Sequence, residues 1–148
     1  HTGPIIIWRK ELRPDSGGAG TFRGGLGQFM EIGATEGHEF DFSAMFDRVD
    51  HPARGRSGGE TGAPTTLALD DQSPMRGKGR QFVPHGRKVM LACPGGGGFG
   101  DAVRRDRQAV QRDLARGYIS ERSARDDYGL SDAEIAAVKA AIEAGEDI

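Results

Sequence analysis

A single cysteine, Cys93, stands in the whole chain, so no internal disulfide can form and the composition suits a reducing cytoplasm. No unbroken apolar run reaches the length a membrane span needs, and no charged-then-apolar leader is present. Excess charge of one sign is missing too. The formal net charge is -2 with both signs interspersed, which argues against a nucleic-acid surface and against an acidic disordered tract. Helical periodicity is absent between the apolar segments of the first hundred residues. Crossover connections are therefore not expected, and an antiparallel sheet, sandwich or barrel is favoured. At 148 residues the chain can build one core, or one core with an appendage.

What is abundant is glycine. Twenty-four glycines occur with neither the collagen period nor the monotony of a linker, against a background of about 7%. Backbone shape, more than side-chain bulk, is being specified. The start, His1-Thr2-Gly3-Pro4-Ile5, lacks methionine and enters an apolar run at once, which reads as the inside of a longer chain. Ile5 to Leu12 is β-branched and aromatic and is stopped by Pro14, as a strand would be. Leu26 to Ile32, His38 to Phe46, Thr65 to Leu69 and Lys88 to Cys93 are further strand candidates. In the second of these, Phe40, Phe42 and Ala44 share a face. The composition changes after Gly100. Asp106 to Arg116, with Val103, Val110 and Leu114 in phase, reads as a helix closed by Gly117; Glu121 to Tyr128 reads as a second, closed by Gly129. Ser131-Asp132-Ala133-Glu134 is a capping box opening a third, with Ile135, Val138 and Ile142 on one side and Gly145 at its end. The expected class is α+β: a glycine-rich, mostly antiparallel β unit over 1–101 and a helical tail over 102–148.

Chemistry is sought first in Pro94-Gly95-Gly96-Gly97-Gly98-Phe99-Gly100-Asp101. Gly95, Gly97 and Gly100 satisfy G-x-G-x-x-G after a strand, but no second parallel strand with its acidic residue follows. Read as a phosphate loop of the Walker type, the run puts Asp101 where lysine must stand, and a carboxylate there repels phosphate. A tight backbone turn packed against another surface is the better reading, with a contribution to a pocket wall the alternative. A second cluster runs from Arg13-Pro14-Asp15-Ser16-Gly17-Gly18 through Gly27. Asp15 and Ser16 suit side-chain turns, the glycines suit positive φ, and Ser16 lacks the frame of a nucleophile elbow. The polar stretch Asp50 to Gly62 reads as a mobile loop, with a functional loop as the alternative. The four histidines have no zinc-type spacing, and Cys93 reads as a small buried hydrophobe. The tail arginines, interleaved with acids, read as a solvated face or an ion-pair surface.

ELRPDSGGAGTFRGGLGQ at Glu11 to Gln28, PGGGGFGDAVRRD at Pro94 to Asp106 and VQRDLARGYISERSARDDYGL at Val110 to Leu130, in that order and spacing, resemble the carboxy-terminal part of the hydantoinase B / 5-oxoprolinase family. The resemblance implies a B-type subunit that works with an A-type ATPase subunit. ATP and Mg belong to that partner, and phosphorylation turns a poorly electrophilic amide into one with a good leaving group before water opens a cyclic amide. Related assemblies carboxylate ketones such as acetone or acetophenone. The divalent-metal site of relatives lies in an amino-terminal portion outside this sequence, so no catalytic or metal residue carries over, and no cofactor is expected on this chain alone. What carries over are two turns, expected to shape the site or the subunit junction: Arg13, Asp15, Ser16, Gly17 and Gly18, and Gly95, Gly96, Gly97, Gly98 and Asp101. The expected function is the carboxy-terminal segment of an ATP-dependent cyclic-amide hydrolase. The alternatives are a small subunit of a ketone carboxylase and an assembly module without turnover.

Overall fold

In the computed structural model, residues 3–146 and 148 are described; His1 and Thr2, with which the internal-looking start begins, lie outside them. The strands are β1 (Ile5–Leu12), β2 (Gln28–Ala34), β3 (Phe40–Met45), β4 (Thr66–Leu69), β5 (Lys78–Val83) and β6 (Val89–Ala92); the helices are α1 (Arg107–Ala115), α2 (Glu121–Asp126) and α3 (Asp132–Glu143). Strands β1-β2-β6-β4, in that order, form one sheet and β3-β5 a second, and all named pairings are antiparallel. The class is α+β.

The two sheets bury Ala44, Leu67, Val83, Val89 and Leu91 between them, with Phe40, Phe42, Met30 and Ile32 packed at the margin. The face formed by Phe40, Phe42 and Ala44 is the one that alternation in β3 anticipates. Strand β5 has no such signature. KGRQFV offers a single fully buried residue, Val83, and bends through Gly79 at φ +96, so its pairing with β3 rather than its own pattern makes it a strand.

A second cluster lies among the helices: Val110, Leu114, Ile119, Ala124, Tyr128, Leu130, Ile135 and Val138, joined by Ala19 from the glycine-rich part. Asp106, Ser120 and Ser131 each cap a helix by accepting a backbone N–H, and Gly117, Gly129 and Gly145 take positive φ just past the helix ends. Two expectations fail here. Val103 sits in the short 3-10 turn Ala102–Arg104 before α1 and is exposed, because the helix that would have carried it inward starts only at Arg107. Ile142 is exposed because the buried side of α3 ends at Val138.

Candidate functional site

The two expected turns lie against each other, and a third stretch joins them. Residues 94–100 run through the middle of a bundle whose other members are 16–27 and 53–63. Along the run, Gly95 N donates to Ala63 O (3.1 Å), Gly96 N to Gly25 O (2.9 Å), Gly98 N to Glu60 O (2.8 Å), Phe99 N to Phe22 O (2.9 Å) and Gly100 N to Arg56 O (3.0 Å). In return Gly96 O accepts from Gly18 N (2.9 Å) and Gly98 O from Arg56 N (2.9 Å). Successive bonds turn from one neighbour to another instead of alternating in a plane, as in an extended chain of about three residues per turn. Such packing brings backbone against backbone. A Cβ on Gly95 would sit under 3.0 Å from the Ser16 carbonyl, on Gly97 from that of Arg54, on Gly98 from that of Ala19, and on Gly18 from that of Glu60.

The expectation of positive φ at these glycines is corrected. Among Gly95 to Gly98 and Gly17 to Gly18 none has it; within the first turn Asp15, at φ 56, does, and beyond the second Gly100, at φ 74. Close approach, not handedness, excludes a side chain. The stretch Asp50 to Gly62 is corrected as well: instead of a mobile loop, its backbone is bonded into the bundle through Arg56 and Glu60, closed on itself by Gly62 N donating to Ala53 O, and Gly55, Gly59 and Gly62 make the same close approaches. Its four glycines, Gly55, Gly58, Gly59 and Gly62, were the available signal.

The remaining residues of the first turn brace this bundle. Ser16 is fully buried; its hydroxyl donates to Arg13 O (2.5 Å) and accepts from Gly27 N (2.8 Å), so it closes a turn. The Arg13 guanidinium donates to Pro64 O (2.7 Å) and Cys93 O (3.2 Å), tying two further segments. The Asp15 carboxylate accepts from Ser120 N (2.8 Å) at the start of α2, while its own N donates to Tyr118 O (3.1 Å). Asp101 caps the 3-10 turn by accepting from Val103 N, and its carbonyl accepts from the Thr21 hydroxyl (2.7 Å). Cys93 is half-buried beside the sheet core.

A charged cluster that sequence reasoning missed joins bundle and tail. Asp113 of α1 is buried; its carboxylate accepts from Arg23 Nε (2.9 Å) and Arg105 Nη2 (2.8 Å). Arg105 thus leaves the solvated face expected for the tail arginines, while Arg107 and Arg125 do make surface ion pairs, with Glu134 and Asp132. Next to this cluster the Tyr128 hydroxyl is buried without a partner among the described residues, and burial pushes its phenol above the usual range.

Do these residues fit the groups that the resemblance implies? A phosphate loop needs free amides, and here all but one of those from Gly95 to Gly100 are spent on neighbouring carbonyls. Among the described residues, no three of His, Cys, Asp and Glu come together as a metal site would require. Neither group fits this bundle. At one end of the bundle Phe22 and Phe99, bridged by their backbones with ring centroids 6.4 Å apart, display largely exposed rings. No described helix is long and apolar enough to cross a membrane.

A bundle of glycine-rich segments beside a two-sheet core, closed by a three-helix tail, recurs as about a quarter of larger solved chains. The chain belongs to the hydantoinase B/oxoprolinase family, whose profile matches residues 1–102. It is 30% identical over 138 residues to the caprolactamase subunit beta of Pseudomonas jessenii, covering 88% of this chain and 24% of that one. Against an uncharacterised protein of Methanocaldococcus jannaschii the identity is 34% over 128 residues, covering 84% of this chain and 22% of the other. The crystal structure of the ATP-dependent caprolactamase from Pseudomonas jessenii superposes with a TM-score of 0.72 at 29% identity, over 93% of this chain and 26% of that one. A nucleotide-free acetone carboxylase shares the fold, with a TM-score of 0.70 at 21% identity over 96% of this chain and 25% of the other. The chain spans about a quarter of the length of these relatives.

Proposed function

We propose that this chain supplies the glycine bundle and helical tail of a B-type subunit in an ATP-dependent cyclic-amide hydrolase. The observation that carries the reading is the caprolactamase likeness, which runs in sequence and in fold through nearly the whole chain, helical tail included. In that reading ATP and Mg are handled by an A-type partner, the divalent metal by the rest of the B-type subunit, and the assembly works in the cytoplasm. The bundle is a rigid support: its two turns, at Arg13 to Gly18 and Gly95 to Asp101, shape the wall of the site or the subunit junction. The division into a β unit over 1–101 and a helical tail over 102–148 is part of the proposal.

The test is ATP turnover by the assembly that contains this chain. ADP release stimulated by hydantoin, 5-oxoproline or a lactam is the expected result. Release that depends on a ketone with bicarbonate would move the assignment to carboxylation, a chemistry for which the shared fold of acetone carboxylase gives reason to include that arm. No stimulation by either, in an intact assembly, would leave a module without turnover.

A further inference from the structure

One apolar row crosses the four-stranded sheet: Leu69 pairs with Val89, Val89 with Ile32, and Ile32 with Ile7. Paired residues share a face, so Ile7 lies on the face that the second sheet covers at Val89. Among the described residues, the cover does not reach β1. Val89 is fully buried, Ile32 is partly so, and Ile7 is 55% exposed. Ile5, two residues earlier on the same face, is exposed as well. β1 is also an edge of the sheet, eight residues long, and its first half, Ile5-Ile6-Ile7-Trp8, carries no charge and no proline to blunt it.

We infer that the free edge and uncovered face of β1 receive an extended apolar segment from the remainder of a B-type subunit, which pairs along Ile5 to Trp8 and covers Ile5 and Ile7. The inference rests on the family reading, and the relatives' length supports this occupant: about three quarters of the caprolactamase chain lies outside the part that superposes. A second copy of this chain fits poorly. Full antiparallel pairing of β1 with itself would set Ile6 against Glu11 and Ile7 against Lys10.

The experiment is amide hydrogen exchange on this chain alone and in complex with the remaining B-type polypeptide and the A-type subunit, with the Ile5→Lys/Ile7→Lys variant beside wild type. In the complex, alternate amides from Ile5 to Trp8 should exchange at least about tenfold more slowly. Because both side chains are exposed, the variant alone should melt within about 3 °C of wild type, yet bind the complex on the order of 100-fold more weakly. Met45→Lys, at an exposed apolar position on the other sheet, should bind as wild type. A complex that forms with β1 exchange unchanged and the variant bound normally overturns this surface and leaves the family reading standing. Self-association of the chain that protects β1, with the complex binding elsewhere, overturns it in favour of a second copy. Absence of any complex, together with absence of amide-stimulated ATP turnover, removes the family reading and this inference together.

Discussion

Each close glycine in the bundle is held to that identity by one neighbouring carbonyl, which makes the cost of a single methyl group predictable. Gly95→Ala drives a carbon into the Ser16 carbonyl, and backbone on both sides leaves it nowhere to go. Thermal or denaturant unfolding should show a loss of about 3 kcal/mol or more. Gly25, one segment away, has ordinary φ and nothing within 4 Å of a Cβ, so Gly25→Ala should shift stability by no more than about 0.5 kcal/mol. Equal effects of the two would contradict the packing described. At this scale the sequence shows which stretches are dense in glycine and leaves the reason ambiguous, because positive φ and close approach call for the same residue. The pairing of Asp113 with Arg23, ninety positions away, has no local pattern at all. Many charged residues are available, and the fold alone selects three of them.

Among the elements, the helices declare themselves and the bundle does not. Capping residues and closing glycines act over four or five positions, so all three helices can be read from sequence to within about two residues. Strands with an apolar face are legible as well, whereas β5 and the segment 53–63 take their shape from partners distant in sequence. Two expectations concern element junctions. Asp113→Asn leaves two arginines facing each other around a neutral amide between the bundle and α1, and should cost about 3 kcal/mol in chemical denaturation. An effect under about 1 kcal/mol would show that the cluster is dispensable. At the start of α3, hydrogen bonds from the Ser131 hydroxyl and backbone N–H hold the Glu134 carboxyl below its ordinary range, with Arg107 adding to the effect. A carboxylate depressed in the folded state contributes stability that is present above its unfolded pKa and lost as pH falls through the folded value. Removing the cap with Ser131→Ala should therefore cost about 1 kcal/mol at neutral pH, and less once Glu134 is protonated in both proteins. A pH-independent difference in melting temperature would count against this coupling.

Across the molecule, the glycine-rich part and the helical tail are held together by two polar links, Asp15 to Ser120 and Arg23 to Asp113, and by Ala19 packed into the helical cluster. The β unit and the tail should therefore unfold together. Trp8, the one tryptophan, reports on β1, and helical ellipticity reports on the tail; their thermal transitions should coincide. Separate midpoints would show that the links are too weak to couple the regions. The bundle has one more consequence, for how families of this kind are compared. Where residue identity is dictated by a neighbour's carbonyl, substitution is forbidden regardless of what reaction the assembly performs. Stretches such as PGGGG should stay constant while substrates diverge, so an invariant block here marks shared architecture and carries little information about chemistry. Substrate assignment belongs to positions where the backbone leaves room for side chains to differ.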